Sequence, residues 1–166
     1  MIKELYSPYN PKLDLLLERD IDVNVDILWS VLTTPEHVMK WFAPAPWKVI
    51  DCEIELRPGG QFRSVMQSPE GKKFPNTGCY LEIIKTEKLV WTSALQPGYR
   101  PVKKAENAPE LLFTAMTILK PHSRGTKYYT IAIHNDEETC RRHDEMGFQK
   151  GWGTSLDQLI AVAKKL

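Results

Sequence analysis

The chain has 166 residues, 42% of them hydrophobic, which is enough for one sizeable core and too little for a second full domain. Its 22 Lys and Arg against 21 Asp and Glu leave a formal net charge of +1, so no positive field is available for phosphates or an anionic membrane, and neither nucleic acid nor membrane is an expected partner. Cys52, Cys79 and Cys140 show no C-x-x-C spacing, the start MIKELYSPYNPK has no apolar signal-peptide run, and no stretch reaches the ~20 apolar residues of a membrane span, so a soluble cytoplasmic protein with small buried thiols is expected.

Residues 1–12 read as an N-terminal extension and 13–166 as one domain. LDLLLERD, from Leu13 to Asp20, reads as a first strand. Val25, Leu28, Trp29 and Leu32 then recur at helical spacing, and Thr34 followed by Pro35 marks the start of a second short helix. Pro44 and Pro46 in APAPW end helical structure. From Trp47 to His134, alternation, β-branched and aromatic residues and Pro/Gly clusters predict six strands: WKVIDCEIEL, QFRSVMQ, TGCYLEIIK, KLVWTSAL, ELLFTAMTILK and TKYYTIAIH. SPEGKKFPN reads as a turn, and the loop from Gln96 to Pro109 as the one mobile segment.

The last helix runs from about Glu137 to Lys165. At 100° per residue Glu145, Gln149, Trp152, Leu156, Leu159, Ile160 and Ala163 share a face, with Gly147, Gly151 and Asp157 elsewhere. Each interior glycine should cost a helix ~1 kcal/mol relative to alanine, so tertiary packing must hold it.

The order strand, two short helices, six strands and long helix is that of the α+β helix-grip fold, a curved seven-stranded antiparallel sheet around a C-terminal helix. The phrases FAPAPWKVIDCEIELRPGGQF, FPNTGCYLEI, KLVWTSAL and HDEMGFQKGWGTSLDQL resemble the SRPBCC (START-like) superfamily, and within it the branch named for homologues of the activator of the heat-shock chaperone ATPase. The resemblance spans about Leu13 to Leu166. It implies a fold whose members bind lipids, sterols, polyketides or hormones, with some catalysing cyclisation and many having no assigned activity.

A sheet curved around a helix leaves a space between them, and glycines allow a close approach to the helix backbone. Strand alternation does not say which set of side chains faces that space. The set chosen for the interior is Phe62, Ser64 and Met66, then Tyr80 and Trp91, then Met116 and Tyr128, with His134, Glu145, Gln149 and Trp152 completing the candidate ligand-binding residues. Glu145 is the candidate acid or base, since a carboxylate in an apolar cavity has a raised pKa; a solvent position paired with Arg141 or Arg142 is the alternative. Trp152 fits core or cavity wall, and Trp41, Phe42 and Trp47 fit a hinge or a lid. His134, His143 and Glu145 do not form an H-E-x-x-H pattern, so neither a metal nor a cofactor is expected. The opposite strand set, including Val65, Tyr129, Ile131 and Ile133, is apolar enough that a homodimer is the expected way to cover it.

Three functions follow. The first is a binding module for a small, largely apolar molecule; the second a polyketide cyclase-like enzyme using Glu145 for proton transfer, with Tyr80, Tyr128 or His134 orienting the substrate. The third, implied only by the resemblance, is a co-chaperone-type interaction with a heat-shock ATPase.

Overall fold

A computed structural model describes residues 1–103 and 111–166. After a one-turn helix α1 (Ile2–Leu5), strand β1 (Asp14–Ile21) leads into α2 (Val25–Thr33), where the Asn24 side chain accepts from the Asp26 amide as N-cap, and α3 (Pro35–Trp41), which starts on its proline. Strands β2 (Lys48–Ile54), β3 (Gln61–Gln67), β4 (Lys73–Ile84) and β5 (Lys88–Thr92) follow. A small hairpin, β6 (Leu95–Gln96) with β7 (Arg100–Pro101), precedes β8 (Thr114–His122) and β9 (Gly125–Ile133). Helices α4 (Glu137–Glu145) and α5 (Phe148–Ala163) end the chain. The loop expected to move is thus a hairpin in its first half, and 104–110 lie outside the described residues.

The main sheet is seven-stranded and antiparallel in the order β1-β9-β8-β5-β4-β3-β2, with β1 and β2 as its edges. This is the helix-grip architecture. One turn is shorter than the sequence suggests: Lys73–Asn76 pair with Ser64–Gln67 instead of belonging to a loop. Pro75 is tolerated there because β5 pairs β4 only from Cys79 onward, so the proline lies where no neighbour needs its missing N–H.

Packing sorts the two faces. The main core, with Leu28, Tyr80, Leu119, Tyr128, Leu156 and Leu159, fills the side of the sheet where the helices lie. A smaller cluster of Val90, Met116, Ile118, Tyr129 and Ile131 lies on the other face. Met116 is therefore a correction: its register partners are Val90 and Ile131, and the two-residue period carries all three away from α5. The chain's own Ile2, Leu5 and Tyr6 pack on this cluster, leaving Tyr129 3% and Ile131 0% exposed. The expected homodimer loses this face as its premise, because residues 2–6 already cover it.

Candidate functional site

The C-terminal helix is two helices, and the reason is local. Gly147 has φ +94°, a left-handed conformation that L side chains rarely adopt, and its amide bonds to the Asp144 carbonyl as α4 ends. The helical phase restarts there. On α5, Phe148, Gly151, Trp152, Ser155 and Leu156 then point at the sheet in the i, i+3, i+4, i+7, i+8 pattern, so Gly151 faces inward, contrary to the continuous-helix reading. A Cβ built on Gly151 meets nothing within 4 Å, so its missing side chain is open space.

That space is a cavity of about 760 Å³ between the sheet and α5, and among the described residues no Asp, Glu, Lys or Arg lines it. Helix α5 packs on β1, α2 and α3, which holds it off the centre of the sheet. The Gln158 side chain donates to the Trp41 and Ala43 carbonyls and accepts from the Ala45 amide, while Ser155 Oγ donates to the Phe42 carbonyl. These bonds fix the proline-punctuated segment as a hinge against α5, with Phe42 as cavity wall. Trp47 is 37% exposed and packs on Phe74, away from the cavity lining.

Aromatic rings form a continuous band around the space. Phe42 meets Phe62 at 5.2 Å, Phe62 meets Trp91 at 5.0 Å and 90°, Trp91 meets Phe113 at 5.6 Å, and Phe113 meets Trp152 at 5.7 Å. Such edge-to-face pairs contribute roughly 0.5–1.5 kcal/mol each beyond area burial and stiffen the wall. Phe113 lies just before β8 and is anchored through its backbone: its amide donates to Ser93 Oγ, and its carbonyl accepts from the Ser93 amide and the Thr92 hydroxyl. On the sheet the Tyr128 hydroxyl meets those of Thr117 and Thr130, and burial raises its pKa above the ordinary phenol value.

One imidazole lines this wall. His143 of α4 is 6% exposed and lines the cavity. Its Nδ1 lies 2.8 Å from His134 Nε2, and His134 Nδ1 lies 2.8 Å from the Leu13 carbonyl. Burial, and then the neighbouring His134, hold His143 down at about 4, so it is neutral near pH 7.

The sequence-predicted residues divide accordingly. Phe62, Ser64, Met66, Trp91, Tyr128 and Trp152 all line the cavity. Tyr80 shares their face but lies deeper, stacked on Phe62 at 5.6 Å and 14°. His134 stands behind His143 and Met116 is on the opposite face. Glu145 is a correction: it is exposed and receives Arg141 Nη1 at 2.8 Å one turn back, because the break at Gly147 turns Cys140 and His143, not Glu145, inward. Gln149 is corrected in the same way; it is exposed and donates to the Leu16 carbonyl on edge strand β1. Phe113 and His143 are cavity residues that periodicity did not single out.

No thiol offers a nucleophile, since all three cysteines are buried and burial pushes Cys52 up to about 11. No group of three or more His, Cys, Asp or Glu among the described residues is placed to hold a metal, and none of the described helices is long and apolar enough to cross a membrane.

Residues 22–164 match the family described as Activator of Hsp90 ATPase homolog 1-like protein. A search of curated proteins finds no match. Among solved structures, protein NE0264 from Nitrosomonas europaea is 46% identical over 95% of this chain and 97% of its own, with a TM-score of 0.88. A Rhodobacter sphaeroides protein at 18% identity covers 95% of this chain and 97% of its own with a TM-score of 0.79. An AHSA1-like protein from Aeromonas hydrophila at 15% identity covers 92% and 93% with a TM-score of 0.70; these two relatives show the fold alone. With the family match over nearly the whole fold and the Nitrosomonas relative at this identity, the chain belongs to the Activator of Hsp90 ATPase homolog 1-like family of the SRPBCC superfamily.

Proposed function

We propose that this protein binds a small, neutral, largely apolar molecule, lipid-, polyketide- or aromatic-like, between its sheet and α5. The observation that carries this reading is the wall itself: about 760 Å³ of space, aromatic on several sides, without a charged side chain among the described residues. That volume is in the range of small-molecule sites, and a few hydroxyls and one imidazole supply the polar anchors such sites use. A charged ligand would give up its hydration there for no counter-ion, which disfavours it strongly. The free buried thiols suit a reducing cytoplasm as the setting. Proton transfer by Glu145 is not part of the reading, because that carboxylate lies outside the cavity on the solvent side of α4.

Native mass spectrometry of freshly purified protein tests it. A retained neutral small molecule, released by organic solvent, is the expected result. Protein that arrives empty and takes up none of a panel of long-chain alcohols and polycyclic aromatics argues against it.

A second reading is a co-chaperone-type interaction with a heat-shock ATPase, and the family description supports it more directly than it supports ligand binding. The ATPase rate of an Hsp90-type chaperone, measured with and without this protein, separates the two: stimulation favours the second reading, and an unchanged rate leaves the cavity as the functional feature.

A further inference from the structure

His143 presents a nitrogen of fixed chemical sense to the cavity. The Leu13 carbonyl can only accept, so the 2.8 Å contact from His134 Nδ1 requires the proton on that nitrogen. In neutral His134, Nε2 is then an acceptor, and the 2.8 Å contact with His143 Nδ1 requires the proton on His143. What remains on neutral His143 is the lone pair of Nε2. That atom has no hydrogen-bond partner among the described residues, and since Nδ1 is taken up by His134 it is the ring nitrogen left for the cavity that His143 lines. Reversing the pair would set an unprotonated His134 Nδ1 against the Leu13 carbonyl, or else charge a buried imidazole; both cost more than the present arrangement.

From this geometry we infer that His143 Nε2 is an acceptor that selects ligands carrying an uncharged O–H or N–H donor on a flat apolar body, a phenol being the simplest case, over ethers, ketones and carboxylates. This rests on the reading that the cavity binds a ligand, and it names the class. The flat body follows from the rings around the imidazole: Phe113 at 5.0 Å, Phe148 at 5.4 Å and Trp152 at 5.8 Å from its centroid, an arrangement whose faces and edges suit another π system. Acceptor-only ligands would meet lone pair with lone pair at this position. A carboxylate would also lack a cation, since no Lys or Arg among the described residues lines the space. Behind His134 lies the Asp14 carboxylate of β1, an acceptor that takes the Asn10 amide at 2.8 Å; it offers His143 no competing donor.

The test is a matched set of probes, 2-naphthol, 2-methoxynaphthalene, 2-acetylnaphthalene and 2-naphthoate, titrated calorimetrically near neutral pH. The wild-type protein is expected to bind 2-naphthol about 5- to 10-fold tighter than the ether or the ketone, the value of one net hydrogen bond, and to bind naphthoate weakest. His143→Phe keeps the ring and removes the acceptor, so the preference should fall to parity. Because that variant leaves His134 Nε2 without its donor, long-range ¹H–¹⁵N spectra of the wild-type protein supply a second readout. Nε2 should be the unprotonated nitrogen of His143 and should shift with 2-naphthol but not with the ether. Equal affinity for naphthol and ether, or Nδ1 as the unprotonated nitrogen, overturns the inference and leaves the cavity reading standing. Failure of all four probes to bind overturns the cavity reading, and this inference with it.

Discussion

His134 and His143, nine residues apart, are joined through Nε2 and Nδ1 at 2.8 Å, so the end of β9 and the second turn of α4 are tied by one buried hydrogen bond that also fixes which nitrogen the cavity sees. Burial, and then the neighbouring His134, disfavour the charged form of His143, which makes stability depend on pH in a definite direction. With His143 held at about 4 in the native state and near 6.5 in the unfolded chain, the unfolded chain binds the extra proton between those values. Stability from this group is therefore fully present above pH ~6.5 and is lost as pH falls toward 4, on the order of 3 kcal/mol. Asp14, whose pKa burial raises, works in the opposite sense at the low end of the same window. Urea denaturation at several pH values should show the loss in the wild-type protein and a flatter profile in His143→Phe; parallel profiles would contradict the assignment.

Glu145→Gln should change little. The carboxylate is exposed and its partner Arg141 is 60% exposed in its side chain, and such surface pairs contribute roughly 0–1 kcal/mol. Thermal melts and probe titrations of the variant are expected to match wild type, whereas a large drop in ligand affinity would return Glu145 to the site.

Deleting residues 1–6 should expose the apolar outer face. Ile2, Leu5 and Tyr6 cover Met116, Tyr129 and Ile131, and losing three partly buried apolar contacts should cost on the order of 3 kcal/mol. A newly exposed patch on a sheet face favours association, so sedimentation should show self-association in the truncated protein beyond that of the full chain. Unchanged stability and unchanged sedimentation would mean that the N-terminal segment does not cover this face in solution.

The fold was legible because two periodicities and a punctuation of Pro and Gly carry it. Phe62, Ser64 and Met66 fall on the cavity side because a two-residue period holds along β3 whatever the tertiary context. Met116 fell on the wrong side because β8 is apolar on both faces, and its cavity-facing residues, Ala115 and Thr117, are the smaller ones. The longer side chain misled. Glu145, Gln149 and Gly151 were misplaced by one cause, the assumption of unbroken helical phase through a glycine that adopts φ +94°. The His134 and His143 relay and the place of Phe113 depend on contacts between elements distant in sequence, which a local pattern does not encode. The dipeptide Met146-Gly147 before the aromatic-rich run was the one local sign that the phase could reset.

The most direct test of ligand binding in the cavity is titration of the neutral fluorescent probe N-phenyl-1-naphthylamine into wild type and Gly151→Leu. Gly151 lines the space and a Cβ there meets nothing within 4 Å, so leucine is accommodated by the backbone, gains up to about 1 kcal/mol of helix propensity, and fills the cavity instead of straining the core. Saturable binding to wild type, with binding to Gly151→Leu weakened at least about 10-fold at an equal or higher melting temperature, is the predicted result. Equal binding by the two proteins would place the probe elsewhere and contradict the account.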